Sequence, residues 1–401
     1  MKTIGLLKNT IQEYAWGSYT AIPDLLGYDF PAGSPQAELW MGAHPQAPSL
    51  VKCDGRWISL LELIEQNPED ILGKKVAEKF NSRLPYLFKV LAAAKPLSIQ
   101  AHPSRSQAIK GFERENRLGI PLDAGNRNYK DGNHKPECIC ALTPFWALNG
   151  FRKIPEMLSL MEQVGPQGLE GEIKELRNKP DARGLKSFFR ALMTMSRRRQ
   201  KQIIDDALKN AQKLSQENQV FKWMINLQHE YPDDIGIFAP ILLNLICLEP
   251  GQAMFLPAGE LHAYLDGVGI ELMANSDNVL RGGLTPKHVD VSALLHVLNF
   301  KERKIDILPK EFINGCEEIY HSQAEEFILS IITVKNGTSY ASPAKRSVEI
   351  VLCTEGKATI TDMEKGDIII LVKGSSIIIP AAVAEYCLDG EAMLYKASVP
   401  V

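Results

Sequence analysis

The sequence predicts a mainly β protein of the jelly-roll type whose chain is interrupted by a helical segment. Short apolar runs broken by Pro and Gly, such as Pro85–Ala94 and Glu137–Leu142, are typical of strands. Between about Lys153 and Tyr231 the apolar residues recur instead at a period of about 3.6, which indicates amphipathic helices. Strand-like runs return from Ile237 onward and continue to Val401, so two β regions flank a helical insert.

Length, charge and hydropathy exclude several classes of protein. The chain has 401 residues, which at roughly 150 residues per domain corresponds to two or three domains. A formal net charge of −3 argues against a nucleic-acid-binding surface spread over the molecule. We expect no membrane span, because the longest apolar run, Ile237–Leu248, is shorter than the roughly 18 residues required and contains Pro240 and Asn244.

Two further features predict a cytoplasmic protein. The N-terminal residues Met1–Tyr14 carry charged side chains and lack the apolar core of a secretory signal. The seven cysteines are odd in number and scattered from Cys53 to Cys387, which favours reduced thiols over a disulfide framework. A chain of this length buries a sizeable core without a partner, so we also expect a monomer.

The local patterns within each region predict individual elements. A helix is expected within Leu60–Phe80, and the basic cluster Arg197–Lys201 is interpreted as the solvated face of a helix in the insert. The last region predicts short strands separated by turns, at Phe327–Val334, Ser347–Cys353, Lys357–Thr361, Asp367–Val372 and Ile377–Ile379.

One internal similarity suggests two related β units. Gly251–His262 (GQAMFLPAGELH) and Gly374–Glu385 (GSSIIIPAAVAE) share a glycine, an apolar strand end and a Pro-Ala turn at the same spacing. Chance similarity of two strand-turn units is the alternative. Where the first unit has His262, the second has Glu385, so a related second unit would be structural.

Several catalytic motifs are absent from the sequence. It contains no glycine-rich nucleotide-phosphate loop, no HExxH or GxSxG motif, and no CxxC pair. Cys138 and Cys140 alternate with Glu137 on a predicted strand, so they lie on its other face and are interpreted as packing residues.

What remains is a distributed set of side chains that suits a metal. Gln100 and His102 lie two residues apart on a strand-like run and therefore share a face. Glu137 begins another strand, and His262 follows a Pro-Ala-Gly turn. Two imidazoles, a carboxylate and an amide oxygen bind zinc by default, while Mn²⁺, Fe²⁺ and Co²⁺ remain alternatives.

Charged groups surround these candidate ligands. The glycine-rich stretch His262–His288 is typical of a loop that lines a site, although a solvated surface loop has the same composition. Within it, Arg281 offers a planar fork suited to a phosphate or an enediolate oxygen. Lys135 precedes Glu137 closely enough to lie beside a bound dication and exchange protons.

Long segments of the sequence resemble the type I mannose-6-phosphate isomerases, a family of cupin-type zinc enzymes. The most specific are Tyr129–Glu137 (YKDGNHKPE) and His262–Val289 (HAYLDGVGIELMANSDNVLRGGLTPKHV). The resemblance covers essentially the whole chain and includes three shorter segments with the sequences QAELWMGAHPQAPS, LSIQAHP and YAWGS.

The resemblance implies the fold, the cofactor and the reaction. It implies one zinc ion per chain, with ligands at Gln100, His102, Glu137 and His262, and an active-site arginine at Arg281. It also implies a cupin (jelly-roll) catalytic domain over 1–152 plus 237–320, a helical domain over 153–236 and a C-terminal cupin-like β domain over 321–401. The implied activity is the interconversion of mannose 6-phosphate and fructose 6-phosphate through a cis-enediol, which feeds GDP-mannose metabolism.

The reaction assigns roles to further residues. For the proton transfer between C1 and C2 we favour Lys135, and for ring opening His134 or Asp277. For the phosphate of this small-molecule substrate we favour Lys89 and Ser98, with Lys95 as an alternative, although a surface lysine would look the same at position 89. Arg281 suits the phosphate or the enediolate equally. Tyr264 and Lys287 are also expected to contact the substrate.

Two other functions compete with this interpretation. The first is another cupin enzyme, either a different sugar-phosphate isomerase or a metal oxygenase. A fourth ligand at Gln100 and the phosphate-suited cations weigh against the oxygenase, which requires an open facial triad. A sugar sensor or scaffold with an inactive site is the second, and the complete ligand set together with Arg281 argues against it.

Overall fold

The structure is a computed structural model that describes residues 1–29, 31–53, 55–335 and 337–401. Its described strands form two sheets, one with ten strands and one with eleven. In chain order the strands are β1 (Gly5–Lys8), β2 (Thr10–Gln12), β3 (Glu38–Gly42), β4 (Leu50–Cys53), β5 (Arg56–Ser59), β6 (Tyr86–Ala93), β7 (Ile99–Ala101), β8 (Glu137–Ala141), β9 (Phe145–Phe151), β10 (Leu243–Leu248), β11 (Ala253–Leu256), β12 (His262–Ala274), β13 (Leu280–Gly283), β14 (Lys310–Asn314), β15 (Glu317–Tyr320), β16 (Ile328–Val334), β17 (Tyr340–Ala341), β18 (Glu349–Asp362), β19 (Ile368–Val372), β20 (Ser376–Ile379) and β21 (Tyr386–Ser398).

Helices occur beside both sheets and form the insert. They are α1 (Ala21–Leu25), α2 (Leu60–Gln66), α3 (Pro68–Leu72), α4 (Lys74–Lys79), α5 (Arg105–Arg117), α6 (Ile154–Val164), α7 (Glu170–Asn178), α8 (Ala182–Thr194), α9 (Arg197–Leu214), α10 (Gln219–Glu230), α11 (Ala239–Leu242) and α12 (Val291–Val297), with a 3₁₀ turn at Ile235–Phe238. In the described part of the chain no helix combines the length and apolarity needed to cross a membrane.

The ten-stranded sheet is organised around the long strand β12. Its main path runs β10-β9-β12-β6-β3-β2, and β7, β8, β11 and β13 pair beside that path. The first residues of β12 pair with β7 and β9, and its later residues pair with β6 and β8. A register shift between Tyr264 and Asp266 separates the two halves, and a bulge of this kind redirects a strand toward new partners.

Side-chain alternation gives this sheet one apolar face and one face that carries charged groups. On β6, Phe88 and Val90 join a core cluster with Ile350 of β18, so this face packs against the other sheet. Lys89 lies between them in sequence and therefore points to the opposite side, as does Leu91. Every residue of β6 is buried, so a charged side chain here is buried too. The second face provides the site.

The eleven-stranded sheet joins the two ends of the chain. Its main path runs β14-β15-β16-β21-β18-β20-β1-β4-β5, with β17 and β19 beside it. The N-terminal strand β1 pairs with β20 through Gly5 and Ile378, and with β4 through Leu7 and Val51. If residues 1–152 and residues 321–401 are assigned to different domains, the strands of this one sheet are divided between the two domains.

The two similar sequence units form the same local structure. Gly251–His262 supplies β11, the turn and the start of β12, while Gly374–Glu385 supplies β20, the turn and the residue before β21. Both following strands are 13 residues long. His262 is buried, whereas Glu385 is exposed, so the second unit presents no buried side chain at the corresponding position.

The helical insert folds because each helix has one apolar face and suitable caps. Asp181, Ser196 and Asn218 accept backbone N–H bonds at the starts of α8, α9 and α10. Phe189 and Phe221 belong to a core cluster that also contains residues of β9 and α12. The insert is therefore packed directly against the ten-stranded sheet.

Three sequence-based expectations differ from the structure. The return to strand at Ile237 is wrong, because Ile235–Leu242 is helical and β10 begins at Leu243. The stretch Gly267–Ala274 is part of β12 and not a loop. The strand texture before residue 152 also contains α5, which begins with a capping box between Ser104 and Gln107.

We propose adjusted domain limits on the basis of these elements. Helical structure extends to Leu242, which favours an insert that ends there. Strand β15 pairs with both β14 and β16, which favours assigning residues 310–320 to the C-terminal β domain. The three-part division itself stays a prediction.

Candidate metal centre

Three acceptor side chains meet inside the ten-stranded sheet. Nε2 of His102 lies 3.2 Å from Oε1 of Glu137, and Nε2 of His262 lies 3.3 Å from Oε2 of the same carboxylate. The two imidazole centroids are 5.1 Å apart, and all three side chains are buried. One ligand atom from each lies within 4.8 Å of the others, a spacing that suits a single metal ion.

Backbone contacts fix both imidazoles with an unprotonated nitrogen toward this centre. Nδ1 of His102 lies 2.7 Å from the carbonyl oxygen of Asn278, and Nδ1 of His262 lies 3.0 Å from that of Glu260. A carbonyl oxygen accepts only, so each Nδ1 carries the proton and each Nε2 presents a lone pair. Among the described residues neither Nε2 has a hydrogen-bond partner.

Two imidazole nitrogens that lack a hydrogen-bond partner and converge on one carboxylate are suited to hold a cation. The set of two imidazoles and one carboxylate fits the ligand preference of zinc. Burial, together with Lys135 and the neighbouring imidazole, lowers the pKa of His102 to about 4, which keeps that imidazole neutral. Burial acts to raise the pKa of Glu137, but Lys135 and His102 outweigh it and hold that pKa well below its usual range.

Gln100 lies next to these residues in the strand register. It pairs with His262 on β12 and with Arg281 on β13. Directly paired residues of antiparallel strands point to the same face of the sheet, so these three side chains share a face. Gln100 is half-buried, and its amide oxygen is a candidate fourth ligand.

Lys135 contacts the centre directly. Its Nζ lies 3.1 Å from Oε1 of Glu137, and its side chain is 11% exposed. The structure therefore brings together the predicted proton-transfer residue and three of the predicted ligands, and it leaves the lysine accessible from one side.

His134 contacts a different carboxylate. Its Nε2 lies 2.6 Å from Oε1 of Glu326, a residue just before β16. The carboxylate that His134 contacts is therefore Glu326 and not the candidate ligand Glu137. Arg105 contacts the same oxygen of Glu326 at 3.1 Å. These contacts link the loop before β8 to the C-terminal β region.

Asp277 is the second candidate for ring opening. Its Oδ1 lies 3.5 Å from Nε2 of His44, and its Oδ2 accepts a 3.0 Å hydrogen bond from Gln46. Burial acts to raise the pKa of Asp277, but His44, Lys135 and Lys130 outweigh it and lower that pKa. The carboxylate is therefore ionised at neutral pH and lies within electrostatic reach of Lys135.

Arg281, Lys287 and Lys130 form a group of neighbouring cations. Burial lowers the pKa of Arg281. Burial, then Arg281 and Lys130, lower the pKa of Lys287. Burial and neighbouring cations account for these two shifts, while Asp277 lies within electrostatic reach of Lys130. Neighbouring cations of this kind are suited to a phosphate dianion.

Lys89 has a different environment from the one expected for a phosphate contact. Its Nζ lies 2.9 Å from Oε2 of Glu271 and 3.6 Å from Oε2 of Glu38, and the residue is 5% exposed. Burial acts to lower the pKa of Lys89, but the two carboxylates outweigh it and raise that pKa. Two carboxylates already compensate its charge, and its burial excludes the alternative of a surface lysine, while the substrate contact of Lys89 stays a prediction.

Tyr264 and Ser98 are the two remaining predicted substrate contacts. Tyr264 is buried on β12, and its hydroxyl has no hydrogen-bond partner among the described residues. Burial, then Glu271 and Glu137, raise the pKa of Tyr264 well above its usual value, so it stays protonated. Ser98 is half-buried immediately before β7, while Lys95 pairs with Glu230 of the insert at 3.1 Å.

Comparison with known proteins identifies the family. A model of the type I phosphomannose isomerase catalytic domain matches residues 4–154, and a model of the helical insertion domain of the same family matches residues 163–243. The mannose-6-phosphate isomerase of Escherichia coli (strain K12) is 42% identical over 359 residues, which cover 88% of this chain and 89% of that protein. The chain belongs to the type I phosphomannose isomerase family.

More distant relatives and solved structures of this family agree with that assignment. The mannose-6-phosphate isomerase of Rattus norvegicus is 35% identical, over 98% of this chain and 95% of that protein. The structure of the Salmonella typhimurium mannose 6-phosphate isomerase, bound to its substrate fructose 6-phosphate and to zinc, has a TM-score of 0.92 and 39% identity. It covers 99% of this chain and 100% of that chain. The mainly β fold with a helical insertion is thus that of the family.

Several residues that shape the site of this phosphomannose isomerase family member were missed by sequence reasoning. Asn278 is fully buried, and its amide donates to the backbone oxygens of Asp131 and Asn133 while its own carbonyl accepts from His102. The side chain of Asp131 accepts from Ser276 and from the backbone of Asp277. The two long signature segments are therefore held together by hydrogen bonds, and the Asn-Ser-Asp-Asn sequence of the turn is the signal that points to them.

Proposed function

We propose that this chain interconverts mannose 6-phosphate and fructose 6-phosphate with one zinc ion per molecule. The observation that carries the proposal is the convergence of His102, Glu137 and His262, in which neither imidazole Nε2 has a hydrogen-bond partner among the described residues. Bound there, zinc would supply a Lewis acid that stabilises negative charge developing on a substrate oxygen. Membership of the family, and the Salmonella typhimurium relative bound to fructose 6-phosphate and zinc, support the same reaction.

Four side chains would hold the metal: Gln100, His102, Glu137 and His262. The last three offer converging atoms, and the register of Gln100 opposite His262 supports the fourth. The backbone carbonyls of Asn278 and Glu260 orient the two imidazoles, as hydrogen-bond acceptors behind metal-bound histidines commonly do.

Lys135 would carry the proton between C1 and C2. An aldose–ketose isomerisation removes the proton at C2 of the aldose and returns one at C1, so one base on one face of the substrate suffices. The Nζ atom of Lys135 lies 3.1 Å from Oε1 of Glu137, so it would be close to a substrate held beside these ligands. In its amine form it accepts the proton, and as the ammonium it returns it.

Ring opening requires a second group that moves a proton between the ring oxygen and the C1 hydroxyl. His134 and Asp277 are the two candidates. The ionised carboxylate of Asp277 is a base that lies within electrostatic reach of Lys135. His134 has one nitrogen occupied by Glu326, which leaves its other nitrogen as the reacting atom.

Arg281 and Lys287 would bind the anionic parts of the substrate, with Lys130 beside them. Burial, then Arg281 and Lys130, lower the pKa of Lys287, and this cluster of cations supports a phosphate dianion as its partner. Arg281 also pairs in register with Gln100, which keeps the alternative of an enediolate contact open. Tyr264, Ser98 and Lys89 would shape the cavity around the sugar, with Lys89 acting through its ion pair.

We propose in addition that the chain acts as a cytoplasmic monomer without nucleic acid and supplies mannose 6-phosphate for GDP-mannose metabolism. The net charge of −3 supports the absence of a nucleic-acid partner. Sedimentation equilibrium tests the oligomeric state, and a dimer at micromolar concentration would contradict this proposal.

A coupled assay for fructose 6-phosphate formed from mannose 6-phosphate tests the central proposal. We expect activity in the zinc-loaded protein, loss of activity after EDTA treatment and recovery when zinc is returned. Absence of activity after zinc has been restored to one ion per chain would overturn the function.

A further inference from the structure

Glu326 is a buried carboxylate of the C-terminal β region that contacts the metal-ligand segments. It lies just before β16 and is 3% exposed. Its Oε1 atom is 2.6 Å from Nε2 of His134 and 3.1 Å from Nη2 of Arg105. Its Oε2 atom has no hydrogen-bond partner among the described residues.

The two partners of Glu326 each belong to a segment that carries a metal ligand. Arg105 begins α5, three residues after His102, and His134 lies three residues before Glu137. One carboxylate from a distant part of the chain thus spans both segments. Burying a charged group costs free energy, and apolar side chains would pack the C-terminal region without that cost. Packing alone therefore does not explain a buried carboxylate at this position.

The contact also decides which nitrogen of His134 bears the proton. Burial acts to raise the pKa of Glu326, but His134 and Arg105 outweigh it and lower that pKa, so the carboxylate is ionised at neutral pH. An ionised carboxylate accepts only, and a 2.6 Å contact therefore requires a proton on Nε2 of His134. Nδ1 is then the nitrogen with a lone pair when the ring is neutral.

We propose that Glu326 is a positioning residue for His134: it holds the imidazole proton on Nε2 and leaves Nδ1 as the basic atom for ring opening. This inference rests on the proposed isomerase function for its catalytic part. It gives the C-terminal β region a specific task at the site, comparable to that of the carboxylate which orients the histidine in other acid–base pairs. Nδ1 accepts the proton of the C1 hydroxyl while the bond between C1 and the ring oxygen breaks and C1 becomes a carbonyl carbon. The carboxylate stabilises the resulting imidazolium, which then gives its proton to the ring oxygen and returns to the neutral form.

The kinetic test compares Glu326→Gln with a matched control, Glu325→Gln, in the zinc-loaded full chain. Glu325 is the adjacent residue and forms an exposed pair with Lys79, so the control removes the same charge at the surface. We expect kcat to fall about tenfold to a hundredfold in Glu326→Gln, somewhat less than loss of a general acid or base itself. KM and zinc content should stay within about twofold, and the control should match wild type.

A kcat for Glu326→Gln within about twofold of wild type, in folded protein with one zinc ion, would overturn the catalytic part. A parallel fall in the Glu325→Gln control would overturn it as well, because the effect would then be one of net charge. If wild-type protein has no isomerase activity, the proposed function fails first, and that result is separate from the one below.

The second test measures the tautomer of His134 in wild-type protein and needs no variant at position 326. Nitrogen-15 NMR of histidine-labelled holoprotein, at a pH where the ring is neutral, distinguishes a protonated from an unprotonated ring nitrogen. The signal is assigned by its disappearance in His134→Gln. We expect Nε2 protonated and Nδ1 unprotonated, and the opposite tautomer would overturn the proposal even if Glu326→Gln fails to fold.

Discussion

The amino group of Lys135 lies 3.1 Å from the carboxylate of Glu137, with a single proline between the two residues in sequence. The proline restricts the backbone here, so the spacing of amine and carboxylate is largely set before a substrate binds. The same carboxylate faces both imidazoles of the candidate centre. The proton-transfer group and the metal-binding group are thus built on one short segment.

Replacing Lys135 with alanine is expected to lower kcat by about 10²–10⁴-fold, because the base for the C1–C2 transfer is removed. Zinc content measured by atomic absorption should remain one ion per chain, since the amine is not a ligand. Lys110→Ala, at an exposed position on α5, is the control and should leave kcat unchanged. Near-normal turnover of Lys135→Ala would contradict the assignment.

Removal of zinc should lower the stability of the protein as well as its activity. Binding to the native state alone stabilises by about 4 kcal/mol when free metal is a thousand times the dissociation constant. Thermal melts of EDTA-treated protein should therefore shift upward when zinc is added. His262→Ala should abolish that shift, and a variant that keeps it would argue against this ligand.

The buried pair of Lys89 and Glu271 should be essential for stability. Lys89→Met leaves Glu271 and Glu38 buried without their cation, and loss of one partner of a buried pair costs about 3–5 kcal/mol. Lys79→Met, which breaks the exposed pair with Glu325, should cost no more than about 1 kcal/mol. Urea unfolding measures both values. Equal losses in the two variants would contradict this account of Lys89.

The cations around Arg281 should recognise phosphate itself. Inorganic phosphate is expected to inhibit competitively, and Lys287→Gln should weaken that inhibition about tenfold, in line with a charge-assisted hydrogen bond of roughly 1.5–3 kcal/mol. In the same variant the KM for mannose 6-phosphate should rise, while kcat should change less. Unchanged phosphate inhibition in Lys287→Gln would place the phosphate elsewhere.

The stabilising contribution of Glu326 should disappear in acid. Its pKa is lowered in the folded protein, so its contribution is fully present above the ordinary glutamate value of 4.5 and is lost as the pH falls through the folded-state pKa. The free energy of unfolding of metal-free wild type should thus exceed that of Glu326→Gln near pH 7. Urea titrations should find the two converging below pH 4.5, and a difference that grows in acid would contradict the ion-pair assignment.

The sequence predicted the three residues that converge, His102, Glu137 and His262, because they lie in short local motifs. Strand alternation alone groups Gln100 with His102, and a turn places His262 at a strand start. The environment of Lys89 could not be read in this way. Its partner Glu271 is opposite it in register, but it comes from a strand 182 residues further along the chain, and only the fold creates that contact.

Two further features were missed for related reasons. They are the helical turn before β10 and the pairing of N-terminal with C-terminal strands in the eleven-stranded sheet. Ile237–Leu248 is apolar throughout most of its length, and periodicity alone does not separate a buried helix from a buried strand there. The pairing of β1 with β20 is set by packing across the whole molecule. Glu326 carried no motif, and its role emerges only from its contacts with Arg105 and His134.

The pairing of Gly5 with Ile378 has a consequence for the biogenesis of the molecule. During translation β1 leaves the ribosome long before β20 exists, so its hydrogen-bonding edge waits unprotected for nearly the whole synthesis. Contacts between the ends of a chain form slowly, and unpaired edges promote association between nascent chains. Pairing of β1 with β20 therefore has to wait until most of the chain has been synthesised, and chains truncated before β20 are expected to require chaperones or to aggregate.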